Sequence, residues 1–168
     1  MSGFKVERVY PHTGDRGWGG ITEPERRGRW RMLNDLAPEL GDECTFRTDA
    51  GPGFDGIGNC VVTELKEPNS IAFSWKGGPI DTLVRIELHD HEHGTRLVMS
   101  QTGFQGPKSW LVARILQIGC KTIYGKRLPA VLDDLAGSAR TRDDGPACMK
   151  PSQRTLVRML SFLERKQK

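Results

Sequence analysis

The sequence predicts an α+β fold in which an antiparallel meander of short strands is covered on one face by a long C-terminal helix. Three observations carry this. From residue 42 onward, apolar residues alternate with a period of two in the runs ECTFRT, GIGNCVVTEL, IAFSWK, TLVRIEL and TRLVMSQT. The segments between them, GPGFDG, KEPNS, GGPID and HDHEHG, are rich in turn formers. They are too short for a crossover, so successive strands must pair antiparallel. Beyond them, residues 108–136 place Trp110, Leu111, Ala113, Leu116, Ile118, Cys120, Ile123 and Tyr124 at helical spacing, a broad apolar stripe suited to cover a sheet.

The elements follow in order. FKVERVY, residues 4–10, reads as a first strand that Pro11 stops. In TEPERRGRWRML, Thr22 reads as an N-cap, Pro24 and acidic residues occupy the first turn and basic residues the second half, which predicts a short helix to about Leu33. Within the strands Ile71, Phe73 and Trp75 share one face, as do Val84, Ile86 and Leu88, and Leu97 with Met99. Pro129 falls inside the long helical stripe and should kink it or restart it. Residues 138–153 carry glycine and prolines among polar residues and read as a linker. A short basic amphipathic helix with Leu156, Met159, Leu160 and Leu163 on one stripe follows. The expected organisation is a domain over residues 1–137 and a tail over 138–168, whose helix offers its stripe to the domain or to a protein partner.

Composition narrows the function. A chain of 168 residues with 36% hydrophobic and 27% charged residues fits one globular domain plus a tail. No apolar run approaches the roughly 20 residues a membrane helix needs, so no membrane span is expected. The start MSGFKVERVY holds no apolar signal core, which points to the cytoplasm. Cys44, Cys60, Cys120 and Cys148 are scattered without a C-x-x-C pair and read as reduced thiols. The net charge of +4 gathers in ERRGRWR and the terminal RKQK. Without an aromatic-interleaved basic strand or a recognition helix, that charge does not predict a nucleic-acid partner.

GDRGWGG, residues 14–20, resembles a phosphate loop at first sight. A dinucleotide fingerprint needs a second parallel strand, and a Walker loop needs G-K-[ST]; hairpins follow here instead, and the lysine is absent. HDHEH, residues 89–93, alternates histidines with acids, but it falls in a hairpin turn with no second set of ligands, so no metal is expected there.

VERVYPH at 6–12, W-x-x-I-T-E-P at 18–24 followed by Arg29-Trp30, EPNSIAFSWKGG at 67–78 and GTRLVMSQTGF at 94–104 stand in an order and spacing that resemble the START-like, birch-pollen-allergen-like superfamily known as SRPBCC. Within it they resemble the group named after the activator of the heat-shock-protein ATPase. The resemblance spans residues 4–136. It implies the helix-grip fold, a curved antiparallel sheet wrapped around the long C-terminal helix, with two short helices after the first strand. The glycine stretch would be the first of these, weakened because each interior glycine costs about 1 kcal/mol relative to alanine. Its glycines then reflect drift, or let the segment gate a pocket mouth, or allow a close approach. If helical, Gly17→Ala, Gly19→Ala and Gly20→Ala should each stabilise the protein.

The resemblance further implies a cavity between sheet and helix that holds an apolar ligand. The residues expected to line it are Trp30, Phe73, Trp75, Val84, Met99, Gln101, Cys120 and Tyr124, whose aromatic and sulfur side chains suit flat apolar molecules. Relatives often carry histidine where Gln101 stands. An inward amide must be hydrogen-bonded but is a poor general base. The expected function is therefore binding of a small hydrophobic or aromatic molecule, in a carrier, sequestering or sensing role and without a cofactor. The alternatives are a polyketide cyclase/dehydrase-like enzyme, with Gln101, Tyr124 and Arg114 directing proton transfer, and a co-chaperone-like interaction protein.

Overall fold

A computed structural model describes residues 2–23, 26, 29, 33–47, 55–78, 80–106 and 109–135. Strand β1 (Ser2–Tyr10) leads into helix α1 (Gly14–Thr22), the two-residue strand β2 (Leu33–Asn34), then β3 (Glu43–Arg47), β4 (Ile57–Lys66), β5 (Ser70–Gly77), β6 (Ile80–His91) and β7 (Gly94–Phe104). Helix α2 (Ser109–Thr122), a π-helical segment (Ile123–Arg127) and helix α3 (Leu128–Leu135) complete the described chain. The strands form one antiparallel sheet in the order β1-β7-β6-β5-β4-β3-β2. This is the helix-grip arrangement: the meander runs outward from β7 and the first strand returns to pair with the last.

Period-two alternation fixes which face is buried. In β6, Thr82, Val84, Ile86 and Leu88 point inward, with Gln101, Met99 and Leu97 opposite the last three on β7 and Phe4 and Val6 of β1 beyond Gln101 and Met99. A slip of one residue would turn every one of these apolar side chains to solvent, so the pattern itself specifies the register. Two irregularities change the parity where the simple alternation would fail. Gly103, at φ +99°, is the extra residue opposite the Ser2–Gly3 step of β1. It turns Phe104 inward against Phe4, with ring centroids 6.0 Å apart. A second shift, between Val62 and Glu64, lets Leu65 join the core that Val62 already faces.

The glycine stretch is helical, as expected for a weakened helix: none of Gly14, Gly17, Gly19 or Gly20 has a positive φ. Gly20 has a packing reason. A Cβ there would stand 2.7 Å from Cδ2 of Leu132, a residue with no exposed surface, so α1 approaches α3 more closely than an alanine allows. Thr22 does not start the next helix. It is the last residue of α1, and its hydroxyl donates back to the Trp18 carbonyl at 2.8 Å, while Glu23 is already extended. Arg26 and Arg29 are helical, but the second short helix falls mostly outside the described residues, and Leu33 belongs to β2.

The long helix is interrupted where Pro129 predicts it. Proline offers no N–H, so the chain loosens into a π-turn one residue early: the Leu128 N–H reaches back five residues to the Ile123 carbonyl. Continued, that pattern would ask residue 129 for a donor to the Tyr124 carbonyl. The Tyr10 hydroxyl supplies it instead, donating to the Tyr124 carbonyl at 2.5 Å. Burial pushes the Tyr10 hydroxyl pKa well above its ordinary value, with Tyr124 adding to the rise and Arg8 opposing it, so it stays a donor. On the other side of α3, His12, buried just beyond β1, meets Asp133 at 2.8 Å, and Arg29 donates to Asp134 at 2.6 Å.

Candidate functional site

The inner face of the sheet divides into two regions. At the end formed by the close of β1 and the start of β7, Tyr10, Leu88 and Leu97 are buried, with α1 packed on β6 and β7 and α3 packed on α1. At the opposite end, where β5 finishes and β6 begins, the residues are Phe46, Trp75, Thr82, Gln101, Phe4 and Phe104. Helix α2 packs mainly against β1 and β7 and so lies toward one edge of the sheet. Among its described residues only Ala113 is buried, while Val112, Leu116 and Cys120 are half-buried against the core.

Trp75 is the pivot of the second region. Its parity on β5 turns it inward, and its indole lies against Phe46, with centroids 4.7 Å apart and planes at 38°. Phe46 in turn stacks on Phe73 at 5.8 Å. The indole can lie flat over β4 because residue 58 is glycine: a Cβ there would come within 2.9 Å of two indole carbons. Trp75 is half-buried, whereas Phe46 and Phe73 are sealed in the core. A flat aromatic surface is thus held rigidly from behind and open at its rim.

Beside it runs a short chain of hydrogen bonds. Thr82, the direct partner of Trp75 across β5 and β6, donates its hydroxyl to the Trp75 carbonyl at 3.4 Å. Gln101 Nε2 donates to the Thr82 hydroxyl oxygen at 2.9 Å. Both side chains are at least nine-tenths buried, with Gln101 5% exposed. Gln101 sits between Phe4 and Val84 in register, so it is a polar group in an apolar frame.

The expected lining residues separate into groups. Phe73, Val84, Met99 and Tyr124 are all 3% exposed or less and belong to the packed core, with Tyr124 in the π-segment. Trp75 and Cys120 are half-buried on the sheet and on α2, and Gln101 is inward as its alternation requires. Trp30 lies outside the described residues. Arg114 is not brought to the others: it is exposed on α2 and donates to Gln117 Oε1 at 3.2 Å, because position 114 falls on the helix face opposite the inner stripe. Sequence reasoning missed Phe46, Gly58 and Thr82. Phe46 shares parity with Cys44, its neighbour on β3, and a glycine inside a strand signals a close approach, so both left a trace. Thr82 left none.

A separate recess of about 210 Å³ lies at the other end of the sheet, lined by Gly14, Asp15, Asn69, Leu88, His89 and Asp90 among others. It is polar and open, which suits no apolar ligand. His89 is exposed near it, and the His91 and His93 rings stand 5.7 Å apart at the β6–β7 turn. Among the described residues no three metal-binding side chains converge. Cys44 and Cys60, far apart in sequence, are direct partners across β3 and β4.

The family model described as "Activator of Hsp90 ATPase homolog 1-like protein" matches residues 13–133. Among solved structures, the chain is similar to MLL2253 from Mesorhizobium loti, at 24% identity and a TM-score of 0.72 over 79% of this chain and 98% of that one. It is also similar to DynU16, a protein in the dynemicin biosynthetic locus, at 20% identity and a TM-score of 0.63 over 79% of this chain and 48% of that one. A third relative is CalU16 from Micromonospora echinospora, at 15% identity and a TM-score of 0.62 over 96% of this chain and 84% of that one. These likenesses show the fold. No curated protein matches the chain. Among the described residues, no helix is long and apolar enough to cross a membrane.

Proposed function

The chain belongs to the family of activator of Hsp90 ATPase homolog 1-like proteins, within the START-like superfamily, and on that premise we propose that it binds a small aromatic or hydrophobic molecule between the Trp75 end of the sheet and α2. The observation that carries this reading is the Phe46–Trp75 pair: a half-buried indole braced by a sealed ring, with a glycine beneath it. A tryptophan that merely filled the core would be enclosed on all sides. An open rim is what a ligand needs in order to stack. Val112, Leu116 and Cys120 of α2, half-buried against the same core, offer further apolar surface for such a ligand.

Binding is favoured over catalysis. Of the three candidate catalytic residues, Arg114 stands on the exposed side of α2, and Gln101 is a neutral amide with no proton to exchange near neutral pH. A carrier, sequestering or sensing role in the cytoplasm fits this chemistry. One structural relative, the protein of the dynemicin biosynthetic locus, comes from a setting of small-molecule chemistry.

The test is titration of an environment-sensitive naphthalene dye into the wild type and Trp75→Phe. Saturable binding to the folded wild type with a clearly changed affinity in the variant is expected. Failure of the dye and of naphthalene itself to bind, together with a loss of about 3–5 kcal/mol in Trp75→Ala as for a filled core, overturns the reading.

A further inference from the structure

The hydrogen-bond chain at the site has a direction, and that direction leaves one group of Gln101 unused. The Trp75 carbonyl can only accept, so the Thr82 hydroxyl spends its one proton there and presents lone pairs to its other neighbour. Gln101 must therefore turn its NH₂ toward Thr82, which fixes its amide oxygen on the opposite side. No donor among the described residues reaches that oxygen, and it is not a fully enclosed atom. Gln101 stands in register between Phe4 and Val84, with Phe104 brought in beside Phe4 by the bulge at Gly103.

From this, and resting on the ligand-binding reading above, we infer that Gln101 is the specificity-determining residue of the site and that it selects aromatic ligands bearing a hydroxyl group, which donates its proton to the Gln101 amide oxygen. An apolar ligand would fill the same space and strip water from that oxygen without replacing its hydrogen bond, a cost a hydroxyl avoids. An ether or ketone oxygen cannot donate, and a carboxylate would set a negative charge against the acceptor in an apolar frame. A neutral ring hydroxyl is the group that satisfies both the aromatic rim and the fixed acceptor. Thr82 is a positioning residue, acting through its grip on the amide.

Calorimetric titration with naphthalene, 2-naphthol and 2-methoxynaphthalene separates the possibilities. The last two share shape and an oxygen, but only the naphthol donates. The wild type should bind 2-naphthol at least about fivefold more tightly than 2-methoxynaphthalene. In Gln101→Met, which keeps the length of the side chain, that ratio should fall to about one. Thr82→Val should lower it while Gln101 is retained, which keeps the test available if the Gln101 variant fails to fold. Equal binding of the two oxygenated probes by the wild type, or an undiminished preference in Gln101→Met, overturns the inference and leaves the aromatic site standing. Binding of none of the three probes removes the site itself.

Discussion

The Tyr10 hydroxyl donates to the Tyr124 carbonyl at 2.5 Å, tying the first strand to a helix 114 residues away at the point where Pro129 leaves that helix short of a donor. One covalent feature of the sequence removes a backbone donor, and a residue distant in the chain supplies one.

Tyr10→Phe removes this donor from a buried carbonyl, at an expected cost of about 1–3 kcal/mol. Pro129→Ala restores an N–H at the position the π-turn would use. The cost of Tyr10→Phe should then be smaller in the Pro129→Ala background, a coupling that chemical denaturation of the four proteins in the cycle will measure. Additive costs would mean that the hydroxyl and the proline act independently.

The same bond predicts a pH dependence. The native state holds the Tyr10 pKa above the ordinary value near 10. The neutral form is favoured on folding, and its contribution is complete below about pH 10. Above that, the unfolded chain loses the proton first and stability falls, by about 1.4 kcal/mol per pH unit from this group. Urea midpoints between pH 9 and 11 should decline more steeply for the wild type than for Tyr10→Phe.

Gly17, Gly19 and Gly20 of α1 should respond differently to alanine. At Gly17 a Cβ would meet Leu88 at 3.5 Å, an ordinary contact, so Gly17→Ala should stabilise by about 0.5–1 kcal/mol. At Gly19 the near atoms are the ends of the Glu23 and Arg26 side chains, which can move aside, so a smaller gain is expected. Gly20→Ala should destabilise by about 1–3 kcal/mol, because the fully buried Leu132 cannot yield. Melting temperatures rank the three, and the uniform gain suggested by helix propensity alone is not expected.

Gly58→Ala should push the indole of Trp75 off its bed on β4 and away from Phe46. The tryptophan emission maximum should shift to the red, and dye affinity should drop, with a smaller loss of stability than Phe46→Ala. An unchanged dye affinity would separate Trp75 from the binding surface.

Truncation after Gly137 should leave the far-ultraviolet circular dichroism nearly unchanged and the protein monodisperse. The seven strands and three helices of the described residues lie within residues 2–135. Aggregation of the truncated protein would show that the tail covers part of the core.

Much of this architecture was legible in the sequence because it depends on local periodicity. The alternation in IAFSWK, TLVRIEL and TRLVMSQT commits Phe73, Trp75, Val84, Met99 and Gln101 to one face before any contact is known, and the stripe of residues 108–136 commits a helix to cover it. The break at Pro129 was legible too, since a missing N–H is a covalent fact. The ending of α1 was not: Thr22 has the chemistry of an N-cap, yet it closes α1 with its hydroxyl donating to the Trp18 carbonyl.

What tertiary structure alone decided was which inward residues remain open and how the polar ones are oriented. Phe73 and Trp75 are indistinguishable by parity, yet the first is sealed and the second half-buried, a difference set by their position along β5 and not by the alternation. Arg114 and Cys120 both lie on the helical stretch, and the rotation of α2 alone places one in solvent and the other against the core. Nothing local in Thr82 announces that it would fix the Gln101 amide. That arrangement needs β5, β6 and β7 in register, and register sums many weak packing preferences over the whole sheet rather than following from any one segment.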